Sequence, residues 1–235
     1  MRGASLISPR SLADEIAARS VELRRRIAER TDRDVRIVCV TKGHPIEVAR
    51  AAFATGFEDL GENYAQDLVR KAEGWQEPLP RWHFIGRLQS NKVRSLTPVV
   101  SLWQSVDRES VATEIARRAP GAGVLVQLDL AGLPDRGGCR PDDAPALVRR
   151  CTELGLDVQG LMGVGVPGPP EGSRPGFRLL GRIADDLGLP IRSMGMSADL
   201  DVAVEEGSTM VRIGSQLVGP RPERPPSNTP RRNTP

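Results

Sequence analysis

Two hydrophobic patterns alternate along most of this chain. Residues 11–30, SLADEIAARSVELRRRIAER, place Leu12, Ile16, Leu23 and Ile27 on a helical period behind a serine, which predicts a capped helix. Short apolar runs then recur at fairly even intervals. They predict strands at 35–40 (VRIVCV), 57–60 (FEDL), 82–85 (WHFI), 99–103 (VVSLW), 123–128 (GVLVQL), 157–161 (DVQGL), 190–193 (PIRS) and 209–213 (TMVRI). Helix-like stretches separate most of them, as at 45–55, 62–73, 107–118, 141–154 and 198–206. Strands that do not alternate are apolar on both faces, the mark of a parallel sheet covered by helices. About eight such repeats in a row predict an α/β fold closed as a single (βα)8 TIM-type barrel. The Gly- and Pro-rich run from Gly165 to Phe177 reads as a loop. The barrel and its N-terminal helix are expected to occupy residues 1–219, and the Pro/Arg-rich tail, 220–235, to be disordered.

Composition narrows the class. Hydrophobic residues make up 39% and charged residues 27% of 235 positions, an ordinary globular balance. No apolar run approaches the roughly 20 residues that cross a bilayer, so no membrane association is expected. The opening MRGASLISPRSLADE has no apolar stretch of the kind a secretory signal carries. Cys39, Cys139 and Cys151 are widely spaced, which predicts reduced thiols and a cytoplasmic protein. Two histidines, His44 and His83, give no metal-site spacing. The net charge of +3 lies in the tail, where Arg221, Arg224, Arg231 and Arg232 against Glu223 make four minus one. The rest is balanced, and aromatic residues are only 3%, so no nucleic-acid partner is expected.

In a barrel, reactive groups come from the C-terminal ends of strands and the loops that follow. In IVCVTKGHP, residues 37–45, Lys42 stands just beyond the first strand. Lysine is rarely buried, so it is either a solvated loop residue or an amine desolvated for chemistry, for example as a Schiff base. Glu62 and Asn63 follow the second strand and His83 lies on the third. Met194, Gly195, Met196 and Ser197 follow the seventh, while Arg212, Gly214 and Ser215 end the eighth. Ser197 is expected just ahead of a helix beginning near Ala198, where unpaired amides favour an anion. Gly214 permits close backbone approach and Ser215 adds a hydroxyl, together predicting a phosphorylated ligand. A lysine facing a phosphate grip suits pyridoxal phosphate (PLP), with Arg212 by the ring nitrogen. A phosphosugar aldolase or isomerase would use the same spacing. Glu62 either joins the groups converging on the mouth or simply solvates it.

Five segments carry a resemblance: VTKGHP (40–45), LGENYAQDL (60–68), WHFIGRLQSNK (82–92), GLMGV (160–164) and SMGMSADLDVAVEEGSTMVRIGSQLVG (193–219). In order and spacing the chain resembles the pyridoxal phosphate homeostasis proteins, the alanine racemase N-terminal-like family, from about residue 10 to residue 219. The resemblance implies a barrel holding PLP as a covalent aldimine on Lys42. It puts Asn63 and His83 near the ring, Arg212 by the pyridine nitrogen, and Ser197, Gly214 and Ser215 at the phosphate. Met194, Gly195 and Met196 would line the pocket. It also implies a non-enzymatic, monomeric protein that buffers PLP or delivers it to PLP-dependent apo-enzymes in vitamin B6 and amino-acid balance. Asp129 and Arg136 depart from the family's usual Asn and Lys, and Arg87 stands where a proline is frequent. The alternative is a weak amino-acid racemase. That reaction needs a second base, a tyrosine from an added β domain in the racemases, and the single tyrosine here is Tyr64.

Overall fold

A computed structural model describes residues 11–76, 78–132 and 137–222. Arg136 and the tail beyond Pro222 lie outside the described residues, and with them the expectation of a disordered tail. The first helix, α1 (Leu12–Ala28), starts where a capping box can form. The Ser11 hydroxyl accepts the Asp14 N–H at 3.2 Å, and the Asp14 carboxylate accepts the Ser11 N–H at 3.1 Å. Each satisfies an amide that the helix itself leaves unpaired.

Eight parallel strands then close in chain order: β1 (Arg36–Val40), β2 (Asp59–Glu62), β3 (Arg81–Phe84), β4 (Val100–Val106), β5 (Gly123–Leu128), β6 (Asp157–Gly163), β7 (Ile191–Ser193) and β8 (Met210–Ile213). Closure is made by β1 against β8, with Cys39 opposite Ile213, and it leaves no open sheet edge. Outside the wall lie α2 (Ile46–Ala54), α3 (Ala65–Glu73), α4 (Ser90–Leu96), α5 (Glu109–Arg118), α6 (Ala144–Glu153), α7 (Arg174–Asp186), α8 (Leu200–Glu205) and the single turn α9 (Ser215–Val218). The preceding α1 packs against α2, α8 and α9.

Alternation along each strand sorts side chains between two cores. Ile37, Cys39, Val211 and Ile213 join the large outer core between wall and helices, with Phe177, Trp82 and Trp103. Val38, Leu102, Leu125, Met162 and Met210 form a small separate core inside the barrel. The interior also holds polar side chains, among them His83, Gln104, Ser193 and Arg212.

Three expectations need correction. The second strand is Asp59–Glu62, two residues later than the apolar run FEDL suggested. Gly61 and Glu62 look like turn residues, yet Gly61 packs closely in the wall, where an added Cβ would stand 3.0 Å from a Val38 methyl. The run Gly165–Phe177 is not a loop throughout: Pro170–Ser173 forms a 3-10 turn, and α7 begins at Arg174. Pro175 sits in the first turn of α7, where a missing N–H costs nothing, and Phe177 is fully buried. The helix expected near Ala198 begins at Leu200, with Asp199 rather than Ser197 at its N-cap position.

Candidate functional site

The loop leaving β1 is a tight turn. His44 N–H donates to Thr41 O at 3.1 Å, and Gly43 takes φ +74° at the third position. A side chain there would be strained, so TKGH turns at the glycine and leaves Lys42 at the corner. Beneath the turn lies a buried polar triad. Thr41 Oγ1 donates to Glu62 Oε1 at 2.7 Å, and Lys71 of α3 donates to that oxygen and to the Thr41 carbonyl at 2.8 Å. Glu62 is 0% exposed, so it does not solvate the mouth; it anchors the floor below Lys42. Burial raises its pKa, against the opposing pull of Lys71 and Thr41.

Lys42 itself is half-buried. Burial, then the positive charges of Arg221 and Arg212, lower its pKa below the ordinary lysine range, with Glu62 opposing. An amine so placed is more often neutral, and a neutral amine is the nucleophile. Asn63 follows β2, and its Oδ1 is buried with no hydrogen-bond partner among the described residues. A Cβ on Gly86 would fall 1.9 Å from the Asn63 carbonyl oxygen, so only glycine lets the chain after β3 pass there.

Arg212, on β8, is 4% exposed. It donates to the Ser193 carbonyl and hydroxyl, both at 2.7 Å, and to the Gly163 carbonyl at 2.8 Å. A guanidinium has five N–H donors. Three hydrogen bonds among the described residues leave two donors. Burial brings its pKa down to about 10, with Asp199 opposing, so it stays a cation at neutral pH.

One cleft of about 460 Å³ gathers Lys42, Asn63, Met196, Ser197, Arg212, Gly214 and Ser215. Its size suits a small-molecule ligand. Sequence reasoning did not single out His44, Ile85, Val164 or Arg221, which also line it. Arg221 belongs to the stretch assigned to the tail, yet its side chain stands over Gly43. Its position could not be read from a Pro-rich run.

Three expected site residues are not in the lining. Met194 is fully buried, and Gly195, at φ +98°, could not carry a Cβ without meeting Ala203 at 2.6 Å. His83 is 2% exposed, inside the barrel, with both ring nitrogens engaged by Asp59 and Gln104. Its place is behind the site. Ser197 lines the cleft, but Asp199 supplies the local turn, accepting the Met196 N–H at 2.6 Å. That leaves the Ser197 hydroxyl to be read as a ligand group rather than a helix cap. Tyr64 is exposed and lines a neighbouring depression rather than the cleft.

The fold and cleft define a class: a closed (βα)8 barrel whose mouth sets a desolvated lysine, a buried arginine and two serines around one small-molecule site. The chain matches the alanine racemase N-terminal domain family over residues 14–222, and it belongs, within that family, with the pyridoxal phosphate homeostasis proteins. The homeostasis protein of Aquifex aeolicus is 38% identical over 228 residues, covering 89% of this chain and 98% of that one. Among solved structures, PipY of Synechococcus elongatus PCC7942 is 30% identical and covers 87% of this chain and 100% of its own. Its TM-score is 0.79 without PLP and 0.74 with PLP bound. An alanine racemase of Clostridium difficile has the same fold at TM-score 0.69 and 16% identity, and this chain spans 59% of its length.

Proposed function

We propose that this protein binds PLP in the cleft at the barrel mouth and holds it in reserve rather than catalysing with it. The observation that carries the reading is Lys42, a half-buried amine of lowered pKa sharing one cleft with Arg212, Ser197 and Ser215. Bound there, PLP supplies an aldehyde open to an amine and a ring able to accept electrons. Lys42, whose lowered pKa favours the neutral amine, would be the residue that holds the aldehyde, as a covalent aldimine formed with loss of water. Ser197 and Ser215 offer hydroxyls to the phosphate, and Gly214 keeps the backbone there clear of a side chain. Asn63, with an unpartnered Oδ1, takes a polar group at the ring edge.

Arg212 decides what the ligand can do. An arginine donates to a ring nitrogen but does not give up its proton, so the ring stays a weak electron sink. Tyr64 lies outside the cleft, which removes the one tyrosine as a second base. Both features favour holding over turnover, and the names of the relatives support a part in PLP homeostasis; we extend that part to delivery to PLP-dependent apo-enzymes. We place the protein in the cytoplasm as a monomer; the free cysteines Cys39, Cys139 and Cys151 support the compartment. No helix among the described residues is long and apolar enough to cross a membrane.

The test is the visible spectrum of the purified protein after addition of PLP. An absorbance band that stays with the protein through gel filtration is expected; borohydride, which reduces the C=N bond, should bleach it and leave the cofactor attached to Lys42, and Lys42→Ala should give no such adduct. A protein that takes up no PLP refutes the reading. Racemisation of L-alanine by the loaded protein at a rate typical of a racemase would refute the non-enzymatic part alone.

A further inference from the structure

A file of buried polar side chains crosses the barrel interior from its N-terminal end to Arg212. Arg81, on the rim at 52% side-chain exposure, donates to both Asp59 carboxylate oxygens, at 2.8 and 2.9 Å. Asp59 Oδ1 lies 2.9 Å from His83 Nε2, and His83 Nδ1 lies 2.7 Å from Gln104 Nε2. Gln104 Oε1 accepts from Ser193 Oγ at 2.6 Å, and Ser193 Oγ accepts from Arg212 at 2.7 Å. His83, Gln104, Ser193 and Arg212 are each at most 4% exposed. They come from four strands, β3, β4, β7 and β8. A wholly apolar interior would pack as well, so this row needs a reason.

The reason is direction. Arginine can only donate, so the Ser193 oxygen faces it as an acceptor and the Ser193 proton points to Gln104 Oε1. That turns the Gln104 amide nitrogen to His83, an orientation supported by its second contact, 3.3 Å to the Met210 sulfur. A donor on that side requires His83 Nδ1 to be bare, so Nε2 carries the ring proton and gives it to Asp59. Asp59 is itself held ionised: burial raises its pKa, but the hydrogen bonds from Arg81 and His83 outweigh it and hold it well below the usual range. Every member has one orientation compatible with its neighbours.

We infer that His83, Gln104 and Ser193 are positioning residues that lock the Arg212 guanidinium in one pose, through a one-way hydrogen-bond chain anchored on the Asp59–Arg81 pair at the far end of the barrel. The lock keeps the two remaining Arg212 donors aimed at the ligand. It rests on the PLP reading only for what Arg212 contacts; the chain's polarity stands without it.

Two measurements test it. With 15N-histidine label, long-range 1H–15N correlation resolves the two imidazoles, and His44→Gln identifies His83. The expected signature is a single neutral tautomer protonated at Nε2. Gln104→Glu, which offers only acceptors to both neighbours, is expected to protonate both nitrogens. A His83 protonated at Nδ1, or averaging between tautomers in the parent protein, overturns the inference whether or not PLP binds. Then PLP affinity is compared in Ser193→Ala and Ser193→Thr, with folding checked by circular dichroism. Loss of the hydroxyl should weaken binding roughly tenfold and shift the absorbance maximum, while threonine, which keeps it, restores both. Equal losses in the two variants, or none in either, overturn the positioning role. Absence of PLP binding in every protein, with the tautomer as expected, refutes the PLP reading and leaves the chain's polarity intact.

Discussion

Lys71→Met isolates the charge balance beneath the site. Lys71 is the cation on Glu62, a carboxylate with 0% exposure whose second oxygen, Oε2, has no partner among the described residues. Methionine matches the stem of lysine but leaves the carboxylate buried beside only the Thr41 hydroxyl. Removing one partner of a buried pair costs about 3–5 kcal/mol, a large share of the total stability of a domain this size. Glu62→Gln combined with Lys71→Met removes both charges while Gln can still accept from Thr41, so most of the loss should return. The pH dependence has a defined sign. Burial raises the folded pKa of Glu62, so the folded state binds its proton more tightly than the unfolded chain, and stability falls as pH rises. Without Lys71 to oppose it, this dependence steepens. The variant should be weakest at pH 8 and recover as pH falls toward about 4.3, the unfolded value for glutamate. Urea unfolding at pH 5.5 and 8.0, followed by circular dichroism, reads both effects. A loss below about 1 kcal/mol, or one equal at the two pH values, would refute the buried-pair argument.

Other outcomes follow from single contacts. Gly86→Ala drives a methyl into the Asn63 carbonyl, and should cost about 1–3 kcal/mol and weaken PLP uptake, measured by thermal unfolding and absorbance titration. The three thiols should resist a disulfide reagent in the native protein at pH 8 and all react in denaturant, since burial pushes Cys39 and Cys139 up to about 12 and Cys151 to about 11. Fast native reaction at Cys39 would mean that its strand opens. Ser11→Ala removes the α1 cap and should cost about 1 kcal/mol in urea unfolding, with no change in PLP affinity.

The barrel was legible because its strands are apolar on both faces and spaced by helices, a period that survives errors at element ends. Helix α4 has only Val93 and Leu96 as buried residues in about two turns, too short a stripe to show a helical period. The start of α7 was hidden by proline and glycine, which mark loops except in a helix's first turn. Lys42, Asn63 and Arg212 could be picked out because barrel topology sends strand ends to one mouth. Gln104 and Ser193 could not, since a polar residue on a strand reads as solvent-facing until the wall closes. Glu62 misled for the same reason: its partner Lys71 lies nine residues on, across a loop and on another element. Pairing in space, not residue type, decided its role.

Arg221 adds a practical consequence. The chain leaves α9 through Gly219, at φ +84°, and brings this arginine back over Gly43, where its charge adds to burial in lowering the Lys42 pKa. Cleavage that removes Arg221 edits the cleft itself. A preparation clipped after Gly219 would keep its barrel and its core, yet present a more basic lysine and a wider entrance. Comparisons between batches should therefore start with an intact mass.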